Sequence, residues 1–361
     1  VYKRQTSIIE FNGVTSQTIP EISFVNLVLS NSGTKTFTGS PVVTGTFTGS
    51  TATSVIYNTS LTTQVLTGSY NNLTFQGIAS KEISGNLTVT GAFSPGSCPV
   101  AYTGTVDQNI ITTTYNQLTF SNGNKFISGL INTTVSFTPG QTIVEYNGAG
   151  NQIVLQADYK DLVLSNTGIK IITSTIGISG TFLSTASFVT NIGTIEYNGS
   201  GSQTVTEFDY YDLTVSGDRG GTTVTFGSNV GIANTMSLTA SNVTYDLTTH
   251  DNTISYNGTG TQNISSFTDG YNNLLFDNST KQLTEAIVVL GDLTITNDAI
   301  LQTVGNIVTV SGNFTNNGTF TSTSGDIVRF SGSSVSIISG LSSTAFQNLN
   351  FNKTNSSVIV N

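Results

Sequence analysis

Charge is what this chain has least of: its Lys, Arg, Asp and Glu together make up 9% of 361 residues, against roughly 25% in an average soluble protein. Thr, Ser, Asn and Gly stand in their place, so solvent-facing positions are filled by hydroxyls and amides, which suits a sheet surface better than a helix surface. The balance that remains is acidic, −9 overall, and repels polyanions, so no nucleic-acid partner is expected. Cys98 is the only cysteine, which excludes an intrachain disulfide and a thiolate metal cluster. Between Ser97 and Pro99 it reads as an inert small residue near a turn. No run approaches the roughly 18 apolar residues that cross a bilayer, residues 286–290 being among the longest, so no membrane span is expected. Helix formers are scarce, and nowhere do apolar residues recur at i, i+3, i+4 and i+7.

What is present is alternation. Asn86-Leu87-Thr88-Val89-Thr90 and Asp292-Leu293-Thr294-Ile295-Thr296 read as half-buried strands. Turns are frequent at 37 Gly, and five Pro rarely interrupt a ladder. Residues 1–5, Val-Tyr-Lys-Arg-Gln, read as the translation of a sequencing-library adaptor and are set apart as an artefact; a native basic strand is the alternative.

A repeat runs through residues 6–361, which read as one continuous domain truncated at both ends. Its first anchor is an aromatic, usually followed by Asn-Gly, with Gln a few residues on. The copies are Phe11 with Gln17, Tyr57 with Gln64, Tyr102 with Gln108, Tyr146 with Gln152, Tyr197 with Gln203, Tyr256 with Gln262, and a degenerate Phe330. The second anchor is an aromatic, then Leu three residues on and an apolar residue two further: Phe24-Leu27-Leu29, Tyr70-Leu73-Phe75, Tyr115-Leu118-Phe120, Tyr159-Leu162-Leu164, Tyr210-Leu213-Val215, Tyr271-Leu274-Phe276 and Phe346-Leu349-Phe351.

First anchors are 46, 45, 44, 51, 59 and 74 residues apart. In the longest copy Gly291-Asp292-Leu293-Thr294 and Gly312-Asn313-Phe314-Thr315 read as equivalent stretches on consecutive coils. A solenoid gains a whole coil easily because each coil touches only its neighbours. The expected fold is therefore an all-β parallel β-helix of seven repeats of about 45 residues, about two coils each at 21 to 25 residues per coil. Tandem immunoglobulin-like sandwiches are the alternative. The anchor Leu and the apolar residue after it should point inward, with Gly and Asn at corners where φ is positive.

Candidate chemistry is sparse. His250, the only histidine, adjoins Asp251, but neighbouring strand residues face opposite ways and no nucleophile motif accompanies them. Asp158 and Asp161, and Asp209, Asp212 and Asp218 with Arg219, form weak clusters. Asp209, Asp212 and Arg219 are the set nearest to what a polysaccharide-cleaving groove needs, yet Asp161 and Asp212 hold a repeat position that is Asn72, Gln117, Asn273 or Asn348 elsewhere, a solvated turn. No calcium loop spacing occurs, and Gly199 to Gly201 and Gly258 to Gly260 lack the following helix of a phosphate loop. No catalytic, cofactor-binding or metal-ligating residue is assigned, no cofactor is expected, and the chain is not read as an enzyme.

The outward residues between Leu and its apolar partner, Val28, Thr74, Thr119, Val163, Thr214, Leu275 and Asn350, do not make the flat Thr array of an ice-binding face. The repeat, with Gly-Asn-Phe-Thr-Asn-Asn-Gly-Thr-Phe at 312–320, resembles that of large secreted adhesin-like surface proteins of Bacteroidota-type bacteria. The resemblance implies export, a cell-surface location, and a structural or adhesive role as surface rod, stalk or filament component. A carbohydrate-binding or polysaccharide-degrading β-helix is the alternative. Surface glycans, or other copies of the chain joined end to end, are the expected partners.

Overall fold

The computed structural model describes residues 7–190 and 192–361; the adaptor-like residues 1–5 lie outside them. Among the described residues every regular element is a strand, and the strands pair in parallel, each with its counterpart one coil away. This is a parallel β-solenoid, and the antiparallel sandwich is set aside. No helix is long and apolar enough to cross a membrane. Contacts group the chain into two compact units, Val1–Ile171 with Ser184–Phe188, and Ile172–Leu183 with Val189–Asn361, here units 1 and 2.

In unit 1 each coil lays one strand on each of three faces. Ile8–Phe11 pairs with Asn26–Asn31 on the first, Gln17–Ile19 with Lys35–Phe37 on the second, and Ser23–Phe24 with Val42–Val43 on the third. A coil is shorter than the sequence suggested: register partners are 17 residues apart at Gln108 and Lys125, 18 at Val100 and Leu118, and 20 at Lys35 and Val55. Alternation alone cannot set this length, because it does not say how tightly a corner turns.

The short coil places the two anchors of one copy on consecutive coils. Phe11 lies opposite Leu29, Tyr57 opposite Phe75, Tyr102 opposite Phe120 and Tyr146 opposite Leu164. A copy of 44 to 46 residues thus winds two turns and one further face, and copies one to four occupy the first, second, third and again the first face. In unit 2 the coils widen, to 22 residues from Phe208 to Val230 and 24 from Val230 to Ile254. The inserted coil of the longest copy stacks as the sequence indicates, Leu293 opposite Phe314 and Thr294 opposite Thr315.

Inside each unit runs an apolar column. Leu27, Leu73, Leu118, Leu162, Leu213 and Leu274 are fully buried, as are Leu29, Phe75, Phe120, Leu164, Val215 and Phe276, each such side chain contributing about 1.5–3 kcal/mol by leaving water. The seventh copy departs from the pattern: Leu349 and Phe351 are 38% and 56% exposed, because strand Leu349–Lys353 is covered on one side only, by Ile327–Gly332.

Corners use αL asparagines at one repeat position: Asn31, Asn122, Asn166 and Asn278 have φ of 66°, 56°, 70° and 55°. Each side chain donates to the preceding coil, to Asn12 O, Thr103 O, Asn147 O and Asn257 O. The glycine of the Asn-Gly motif has a different reason. A Cβ at Gly148, Gly199 or Gly258 would stand 2.4, 2.2 or 1.9 Å from a carbonyl oxygen of the coil before, so it is close approach that demands glycine there.

Candidate functional site

The residues that repeat with the fold point inward and bond one coil to the next. The motif glutamine folds back so that Oε1 accepts from the glycine N–H four residues earlier, at 2.7 Å for Gln17, 2.9 Å for Gln108, 2.8 Å for Gln152, 3.0 Å for Gln203 and 2.8 Å for Gln262. In Gln108, Gln152, Gln203 and Gln262, Nε2 donates both hydrogens to carbonyls of the preceding coil, such as Ile127 and Gly129 for Gln152. A buried amide is thereby fully satisfied.

On the next coil a lysine lies opposite this glutamine: Lys35 on Gln17, Lys125 on Gln108, Lys170 on Gln152 and Lys281 on Gln262. All four side chains are buried. Their Nζ atoms donate to the carbonyl of the same motif glycine, from Lys35 to Gly13 at 2.7 Å, Lys125 to Gly104 at 3.3 Å, Lys170 to Gly148 at 2.7 Å and Lys281 to Gly258 at 2.8 Å. Desolvation lowers the ammonium pKa of each, to about 8 for Lys125 and Lys281 even though Asp107 and Asp277 pull the other way.

The second copy corrects the sequence reading. Gln64 faces solvent and Thr63 takes the inward place opposite Lys81. That copy carries Thr59 where the others have glycine, and the Thr63 hydroxyl donates to Thr59 Oγ1 at 2.7 Å. Gly with Gln is exchanged for Thr with Thr as a unit.

The tyrosine anchors close a second polar device. Ile111 N–H donates to Tyr102 Oη at 3.3 Å, and Tyr115 O–H donates to Ile111 O at 2.6 Å. The two hydroxyls are 3.0 Å apart, and since Tyr115 has given its proton to the carbonyl, Tyr102 is the donor between them. The same loop closes through Leu66, Leu155, Thr206 and Ser265 with pairs Tyr57/Tyr70, Tyr146/Tyr159, Tyr197/Tyr210 and Tyr256/Tyr271. Burial pushes the phenols up, to about 12 for Tyr102, Tyr146 and Tyr256.

Facing outward, the candidates from the sequence do not assemble. His250 is exposed in the turn at 248–251, and Asp251, at φ 47°, accepts from Asn272 and Asn273. Asp158 and Asp161 lie on consecutive strands of different sheets, Asp158–Tyr159 and Asp161–Leu164. Asp212 accepts from Asn234 Nδ2 at 2.8 Å and Thr235 N at 2.9 Å. Asp218 accepts from Asn242 and Gly220 N, which hold its carboxyl below the usual range. Arg219 is fully buried and so shares no groove with Asp209 and Asp212. Cys98 is buried, its thiol pushed up by desolvation and directed at Gly77 O. Among the described residues no group of three His, Cys, Asp or Glu is arranged to hold a metal.

One outward groove, of about 520 Å³, lies where the coils of unit 2 widen, lined by Glu207, Phe208, Asp209, Asn229, Gly231 and Ser255 among others. Asp209, Gly231, Ser255 and Leu275 occupy one outward register position on four successive coils. Gly231 opens the row: a Cβ there would stand 1.7 Å from Asp209 Oδ1, which leans across it and accepts from Asn257 Nδ2 at 3.2 Å. The groove offers carboxylates, hydroxyls and an amide to a polar ligand.

The buried basic row escaped the sequence reading although it left a signal. Lys35, Lys81, Lys125, Lys170, Arg219 and Lys281 are six of only 11 basic residues, and each follows its motif glutamine by 16 to 19 positions. A comparison with family models, with curated proteins and with solved structures finds no match for this chain.

Proposed function

We propose that the chain is a structural or adhesive repeat protein of a bacterial cell surface, exported and acting as stalk, rod or filament component. The observation that carries this reading is where the repeated residues go. Glutamine, lysine, motif glycine and paired tyrosines are all consumed in joining coil to coil, so what recurs along the chain encodes a scaffold. Its partners would be surface glycans and other copies of itself.

The groove beside Asp209 favours one further reading, a glycan-binding or glycan-cleaving β-helix. Release of reducing ends when the purified chain is incubated with plant, algal and bacterial polysaccharides separates the scaffold from the cleaving reading. The scaffold reading expects no reducing ends. Release that disappears in Asp209→Asn would replace it with the enzymatic one.

A further inference from the structure

An asparagine followed by glycine carries a reactivity of its own. With no side chain in the way, the glycine backbone nitrogen can attack the asparagine carboxamide, provided its N–H is not held by an acceptor. Six such steps occur, at Asn12, Asn122, Asn147, Asn198, Asn257 and Asn317. In five of them the glycine N–H is given to a side-chain carbonyl: Gly13 to Gln17 at 2.7 Å, Gly148 to Gln152 at 2.8 Å, Gly199 to Gln203 at 3.0 Å, Gly258 to Gln262 at 2.8 Å and Gly318 to Asn316 at 3.1 Å. The motif glutamine therefore does more than join coils; it restrains the nucleophile of its own Asn-Gly step.

The sixth step has no such guard. Among the described residues no acceptor takes the Gly123 N–H, and Asn122 is exposed at a corner, with φ of 56°. The corresponding αL asparagines Asn31, Asn166 and Asn278 are followed by Ser32, Thr167 and Ser279, whose side chains hinder attack. Glycine at 123 answers to packing, since a Cβ there would stand 2.4 Å from Val106 O. The close approach of two coils thus leaves this corner with a reactive pair.

We propose that Asn122-Gly123 is a self-modification site, at which Asn122 converts to aspartate and isoaspartate in the folded chain while the five guarded steps stay intact. Gly123 N gives up its proton and bonds to Asn122 Cγ, the Cγ–Nδ2 bond breaks, and ammonia leaves. Water then opens the cyclic imide at either carbonyl. The product unlatches the corner: Asn122 Nδ2 now donates to Thr103 O at 3.1 Å, and aspartate sets a carboxylate oxygen against that carbonyl instead.

Peptide mapping of the folded chain, aged at mildly alkaline pH, reads the exchange of ammonia for water at each site. Asn122 should convert at least about tenfold faster than Asn147, Asn198 or Asn257, because a guarded glycine must first open its hydrogen bond. In denaturing urea the sites should converge to within a few-fold. Gln152→Ala, with its fold checked by circular dichroism, should speed Asn147 several-fold and leave Asn198 unchanged. Hydrogen exchange at the Ser121 amide, which bonds to Tyr102 O at 3.0 Å, should quicken in aged protein and in Asn122→Asp. Equal rates at Asn122 and the guarded sites in folded protein, the same spread of rates in urea, or an unchanged Asn147 in folded Gln152→Ala would each overturn the proposal; an unchanged Ser121 amide would overturn the unlatching.

Discussion

Replacing Tyr102 by Phe removes the middle of a closed loop of three hydrogen bonds, Ile111 N–H to Tyr102, Tyr102 to Tyr115, and Tyr115 to Ile111 O. Two of the three are lost, and Tyr115→Phe likewise loses two. At about 1 kcal/mol per buried hydrogen bond, each single substitution costs about 2 kcal/mol. The double substitution breaks three bonds in all and costs about 3 rather than 4 kcal/mol, a coupling of about 1 kcal/mol. Packing should survive, because the rings meet edge to face at 6.5 Å and the first copy places Phe11 against Phe24 in the same way at 6.3 Å. Urea unfolding followed by circular dichroism gives the cycle, and hydrogen exchange at the Ile111 amide localises it, which matters because coils can open without global unfolding. Strict additivity, or an Ile111 amide equally protected in wild type and Tyr102→Phe, would refute the closed loop.

Leu118→Asp should cost several kcal/mol, since it leaves an unpaired carboxylate in the apolar column, whereas Thr119→Asp on the outer face should stay within about 0.5 kcal/mol; thermal melts of the two variants check the inward and outward assignment. Stability should rise from pH 8 to about 10. The unfolded chain holds lysine protons up to its ordinary 10.5 while folded Lys125 and Lys281 release theirs near 8, so the unfolded state binds more protons in that window. Above pH 10 the sign reverses, because unfolded tyrosines ionise while Tyr102, Tyr146 and Tyr256 keep their protons to about 12. Urea midpoints measured from pH 7 to 11 should pass through a maximum, and Lys125→Met with Lys281→Met should flatten the rising limb.

Much of the fold was legible because its signals are local. The anchor Leu and its apolar partner alternate as a strand must, and the equivalence of Leu293 with Phe314 follows from repeated residues alone. The length of a coil was not, since it depends on how Asn31 or Asn122 turns a corner and how closely Gly148 lets two backbones approach. The polar interior was missed for a related reason. Lysine is ordinarily a surface residue, and only the register that lays Lys170 over Gln152 reveals that it lies inside, capped by the carbonyl of Gly148. Gln64 shows the converse: it follows Tyr57 by seven residues where the other motif glutamines follow their aromatic by six, so the inward place falls to Thr63, beside a Thr in place of the motif glycine.

Parallel stacking in the stated register is most directly tested by cross-linking. Ala101 and Thr119 are register partners on adjacent coils, and Glu82 lies one coil beyond Ala101. Adjacent strands are roughly 4.8 Å apart, within the Cα separation a disulfide spans, while two coils, about 9.6 Å, exceed it. In a Cys98→Ala background, mild oxidation should link Ala101→Cys to Thr119→Cys and leave Glu82→Cys with Thr119→Cys reduced, as read by non-reducing gels and peptide mass. Linkage of the second pair, or failure of the first in soluble folded protein, would contradict the solenoid.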